Sequence, residues 1–77
     1  MLYRLHLVFD GELLPDAQGM DLPDLETACF HATNIVQDIM SEEAKNGRLP
    51  LTWSVEVEDE SGEIVAKIPF RDAMTVH

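Results

Sequence analysis

Three histidines (His6, His31, His77), one cysteine (Cys29) and fifteen Asp and Glu are the side chains of this 77-residue sequence that could ligate a metal or move a proton. The histidines lie too far apart in sequence to form a metal motif, and neither Cys-x-x-Cys nor His-Glu-x-x-His occurs. Asp10, Glu12, Asp16 and Asp21 crowd one loop region. Such segments hold Ca²⁺ or Mg²⁺ when several carboxylates converge at about 2.0–2.6 Å, but this spacing lacks the Asp-x-Asp-x-Asp-Gly order of an EF-hand. Solvated turn residues are the simpler reading. Glu56, Glu58, Asp59, Glu60 and Glu63 read likewise as an exposed ribbon and turn, where negative charge discourages stray strand pairing.

Catalysis needs more than ionisable groups. His6 shares a strand face with Arg4, where cross-strand contact with Glu56 or Glu58 is expected, and no nucleophile or electrophile is recognisable beside it. The nearest cationic candidate to Cys29 in sequence is His31, on a different side of a helix, so Cys29 reads as a packing thiol. The four glycines stand singly in turns, which excludes a phosphate-cradling loop. The expectation is therefore a protein with no catalytic residue, no cofactor and no metal site.

A formal charge of −10 and a pI near 4.3 oppose contact with nucleic acid phosphates and anionic membranes, and suit a basic protein partner. No apolar run approaches the roughly 20 residues that cross a bilayer. A lone cysteine excludes an internal disulfide and no secretion signal is recognisable, so a cytoplasmic location is expected. A chain of this length makes one domain, residues 1–77, that buries only about 60% of its unfolded surface. Nearly every apolar residue is then needed for packing.

The elements follow from periodicity. Tyr3, Leu5, Leu7 and Phe9 alternate with Leu2, Arg4, His6 and Val8, giving a first strand over Leu2–Phe9 with one apolar and one mixed face. Asp10-Gly11 ends it. A loop over Glu12 to Gly19 follows, in which Leu13-Leu14 can pin the chain inward or form a short edge pairing. Asp21 reads as a helix N-cap with Pro23 in the first turn and Met20 stapled to Leu25. Leu25, Ala28, Ala32, Ile35, Val36 and Ile39 form the helix stripe, with Cys29 and Met40 at its edge, and Asn46-Gly47 and Pro50 stop it. A hairpin closes the sequence: Trp53, Val55, Val57 and Ile64, Ala66, Ile68, Phe70 flank an Asp59-Glu60-Ser61-Gly62 turn. A short tail from Arg71 can add a helical turn. The order predicts an α+β fold, a mainly antiparallel three-stranded sheet in β-α-β-β order, with a short extra strand accommodated before the helix and one amphipathic helix on the apolar face.

Two features carry sharper expectations. Turn chemistry alone pairs Val55 with Lys67, whereas a slip of one residue pairs Glu56 with Lys67, Val55 with Ile68 and Val57 with Ala66. The slipped register is expected because it keeps Lys67 out of the core. Phe30 falls roughly 140° from Leu25 on the helix, among polar residues, and is a candidate interface residue.

Taken together, Phe9-Asp10-Gly11, Asp16-x-x-Gly19, Asp21-Leu22-Pro23-Asp24-Leu25-Glu26 with Ala28 and Ala32, Trp53-Ser54-Val55-Glu56-Val57, Asp59-Glu60-x-Gly62 and Ile68-Pro69-Phe70-x-Asp72-Ala73 resemble a family of short bacterial proteins common in alphaproteobacteria and classed as a domain of unknown function. The resemblance spans nearly the whole chain and implies a compact α+β module without assigned catalytic residues. Similar sequences look rich in Ala, Arg and Glu after Glu26, where this chain has Cys29, Phe30 and His31. The function expected is protein contact, as a homodimer or an accessory to a larger partner. The alternative is a small-molecule or metal binder using Arg4, His6, Glu56 and Lys67 on the outer strand face, or the Asp10–Asp21 loop.

Overall fold

A computed structural model describes residues 1–73; His77 lies outside the described residues. The chain runs β1 (Leu2–Phe9), β2 (Glu12–Leu14), β3 (Met20–Asp21), α1 (Leu25–Lys45), β4 (Ser54–Glu58), β5 (Ile64–Pro69) and α2 (Phe70–Ala73). The five strands make one antiparallel sheet of order β2-β1-β4-β5, with β3 also paired to β1, and α1 packs on one face. The fold is α+β as expected, but the segment before the helix supplies two short strands where the sequence reading allowed one.

The first of these is a tight hairpin. Asp10 and Gly11 both take positive φ (51° and 79°), the backbone of a two-residue turn whose twist suits antiparallel strands, so Phe9 pairs with Glu12. The segment then swings back, and Met20–Asp21 pairs with Leu2–Tyr3 at the other end of β1. Gly19 makes this approach close: at φ +75°, a Cβ there would stand 2.8 Å from Leu2 Cδ1 and 3.1 Å from the Tyr3 carbonyl oxygen.

That pairing displaces the start of the helix. Asp21 belongs to β3, so it is not the N-cap; Asp24 is, with its carboxylate accepting from Thr27 N–H (2.8 Å) and Thr27 Oγ1–H (2.7 Å). Pro23 precedes the cap and favours extended backbone at Leu22, which is buried in the core. The Met20–Leu25 staple does not form part of a cap either, since Met20 sits in β3. The other end agrees with the sequence reading: Asn46 is the C-cap, Gly47 takes φ +77°, and Gly47 and Arg48 N–H return to the Ala44 and Glu43 carbonyls.

The hairpin register is the slipped one, with Glu56 opposite Lys67, Val55 opposite Ile68 and Val57 opposite Ala66. Near the turn Glu58 pairs with Ile64, leaving Val65 as an extra residue in a bulge. The bulge turns Ile64 outward to 46% exposure and lets Val65 pack on the core, which corrects the sequence assignment of Ile64 to the apolar face. Ala28, Ala32 and Val36 of α1 meet Tyr3, Val55, Val57 and Phe70 in that core. Phe70 is fully buried, its ring edge-on to Trp53 at 5.7 Å, and Trp53 in turn lies 5.5 Å from Phe9.

Candidate functional site

Three of the four outer-face candidates fall in one row across the sheet: His6 opposite Glu56, and Glu56 opposite Lys67; Arg4 stands opposite Glu58. They are not equally available. His6 is buried, at 6% exposure, because the loop after β2 closes over it. Its Nδ1 accepts the Asp16 N–H at 3.0 Å, which places the proton on Nε2, 3.3 Å from Glu58 Oε1. Arg4 Nη1 lies 3.7 Å from Glu58 Oε2. Glu58 thus stands against both Arg4 and His6, while Glu56 and Lys67 face each other across the β4–β5 pair.

The carboxylates of the Asp10–Asp21 segment do not converge. Glu12 stands opposite Phe9 and Asp21 opposite Leu2, the two ends of β1, roughly 23 Å apart at about 3.3 Å per residue. Asp10 faces the Trp53 indole N–H at 3.4 Å. Asp16 has a structural task. Between the stretches of β1 paired by β2 and β3, its Oδ2 accepts the Leu5 N–H (3.2 Å), and its Oδ1 accepts from Gln18 N–H (3.3 Å) and Gly19 N–H (3.1 Å). A side chain here replaces a missing strand partner. Among the described residues, no group of three His, Cys, Asp or Glu is placed to hold a metal ion.

Partial burial alone would raise the Asp16 pKa, but the N–H groups of Gly19, Leu5 and Gln18, with His6 nearby, together hold it below the ordinary 3.8. The folded carboxyl therefore takes up its proton less readily than the unfolded one. Its contribution to stability is complete above about pH 3.8 and is lost as the pH falls through the lower folded value. The difference in melting temperature between the natural chain and Asp16→Ala is expected to be widest near neutrality and to close in acid. A difference that stays constant to about pH 2 contradicts this account. Asp24 and Asp59 are lowered in the same direction, Asp24 by the Thr27 hydroxyl and N–H, Asp59 by the Ser61 hydroxyl outweighing slight desolvation, with help from the Glu63 and Ser61 N–H groups.

What the fold leaves open lies on the other face. α1 packs chiefly on β4 and β5 and reaches β1 least, so an apolar groove of about 370 Å³ remains along β1. Leu5 and Leu7 of β1 and Ile35 and Ile39 of α1 line it, and Leu14, Pro15, Asp16 and Met20 close its outer side. Leu14 and Met20 are 56% and 39% exposed. Leu13-Leu14 therefore do not pin the loop inward; the β1–β2 hairpin holds them out, with Leu14 on the groove side and Leu13 on the other. Asp38 and Glu42 lie within about 60° of Ile35 around the helix, and both are exposed. The sequence signal for the groove was the pair of large apolar residues Leu14 and Met20 in a segment rich in turn residues.

Phe30 is 64% exposed, as its helix position implies, with the His31 ring edge-on beside it (centroids 6.0 Å apart). It faces away from the sheet and from the groove. Cys29 is a free, half-buried thiol. No helix is long and apolar enough to cross a membrane among the described residues.

A family model described as a domain of unknown function (DUF6894) matches residues 2–71. No curated protein and no solved structure matches the chain.

Proposed function

The chain belongs to this family of a domain of unknown function (DUF6894), and from that premise we propose a protein-contact module, without a catalytic step of its own, that docks through the groove between β1 and α1. The observation that carries the reading is the unpaired aliphatic wall. Leu5, Leu7, Ile35 and Ile39 are packed on the core from one side only, while exposed Leu14 and Met20 extend the same surface. A small domain that needs its apolar residues for packing keeps such a surface open at a cost, which contact with a partner reverses.

The edges of the sheet favour the groove over strand addition. β5 is blunted by the Val65 bulge, Lys67 and Pro69, and the opposite edge is made of strands only three and two residues long. The acidic surface disfavours nucleic acid and anionic lipid, and a lone cysteine asks for no oxidising compartment, which supports action in the cytoplasm on a protein partner. The second reading is a small apolar ligand, since about 370 Å³ falls within the roughly 300–1,000 Å³ of ligand pockets. A ligand of that kind raises the melting temperature of the chain without any protein present.

The test compares the natural chain with Leu14→Ser/Met20→Ser and with Phe30→Ser, each recovered from the cells that make the protein. Both groove positions are exposed, so the pair is expected to fold. A specific protein is expected to accompany the natural chain and Phe30→Ser and to fall about tenfold with the groove pair. Equal recovery with the groove pair, or loss with Phe30→Ser alone, contradicts the assignment.

A further inference from the structure

Building on the groove as a docking site, we infer that its occupant is a segment of another protein carrying apolar anchors flanked by lysine or arginine. The floor of the groove is aliphatic, and its single ionisable lining residue, Asp16, already accepts three backbone N–H groups. An inserted polar group would therefore lose its water without gaining a partner, so the part that enters is apolar.

The margins select the flanks. Glu12 shares the groove side of β2 with Leu14, and Asp38 and Glu42 border Ile35 on α1, all three exposed. The described cations sit elsewhere or are engaged. Arg4 faces Glu58, Arg48 faces Glu43, the N-terminal ammonium pairs with Asp21, Lys67 stands on the far face of the sheet, and Arg71 follows β5. Lys45 pairs with Glu42 at 3.7 Å, so that Glu12 and Asp38 carry the acidic character of the margin. A second copy of the chain has the same net charge of −10 and, docked here, would set its own Glu12 and Asp38 margin against this one, where screening over a Debye length of about 8 Å is incomplete. A cationic flank meets the same field as attraction, which speeds encounter and fixes orientation.

The test titrates the full chain with a synthetic amphipathic helix, leucine on one face and lysine on the other, and with its counterpart carrying glutamate for lysine. Binding of the lysine peptide is expected, weakened about tenfold by Leu14→Ser/Met20→Ser. It is also expected to weaken several-fold, with a shallower salt dependence, for Glu12→Lys/Asp38→Lys. A lysine peptide indifferent to the groove pair, or a glutamate peptide that binds as well, overturns the inference. If neither peptide binds but the chain forms a dimer abolished by the groove pair, the basic occupant is wrong and docking through the groove stands. If neither peptide binds and no self-association depends on the groove, both are wrong.

Discussion

Phe70→Ala is expected to lower stability by about 3–5 kcal/mol, the range for removing a fully buried aromatic ring. A domain of 77 residues has on the order of 4–12 kcal/mol in total, so this single change is expected to remove from about a quarter of the stability to all of it. The position is exacting for three reasons. Phe70 is fully buried, its ring abuts Trp53, and its N–H donates to the Trp53 carbonyl at 2.9 Å, joining the end of β5 to the start of β4. Urea denaturation reads the effect, with Leu49→Ala as control because Leu49 is 63% exposed and is expected to change stability by no more than about 0.5 kcal/mol. A Phe70→Ala midpoint equal to that of the control would mean that the C-terminal turn is not part of the core.

The second large effect is at Asp16. Asp16→Ala leaves the N–H groups of Leu5, Gln18 and Gly19 without their acceptor, an expected loss on the order of 2–3 kcal/mol, since bonds to a charged group are worth about 1.5–3 kcal/mol each and these are partly solvated. Asp16→Asn is expected to recover little of it. Its oxygen can serve Gln18 and Gly19 or Leu5 but not both sides, and its NH₂ then points at an N–H donor. Hydrogen exchange at the Leu5 amide separates this from general destabilisation, because opening of the loop exposes that amide before the sheet unfolds. Wild-type stability in Asp16→Asn would show that the carboxylate does not bridge the gap between β2 and β3.

Much of this fold is legible in the residues because alternation and turn chemistry agree. The bounds of β1, the end of α1 at Asn46-Gly47 and the hairpin register all follow from patterns in which an error would bury a charge or expose a hydrophobic row. The discrepancies arise where two local rules compete. Asp10-Gly11 reads as the end of a strand, yet the same pair builds the turn that creates β2. Asp21 and Asp24 both suit an N-cap; pairing with Leu2, a long-range contact, decides for Asp24. His6 resembles a surface residue in strand alternation, yet it is buried between Asp16, ten residues on, and Glu58 of the neighbouring strand.

The candidate site was less legible than the fold for a related reason. Arg4, His6, Glu56 and Lys67 share one face of the sheet, as alternation implies, but their availability depends on Glu58 and on the loop, which alternation does not describe. The groove depends on where α1 rests along the width of the sheet. Ile35 and Ile39 belong to the same sequence stripe as Ala32 and Val36, and only the lateral position of the helix leaves the first two half-open above β1.

The most direct examination of groove docking places a photo-reactive side chain at position 14, 30 or 56 of the chain in the cells that produce it. An adduct with another protein is expected from position 14 and not from 30 or 56. Adducts formed from position 30 or 56, with none from 14, would move the contact surface to the solvent side of the helix or to the outer strand face and contradict the assignment.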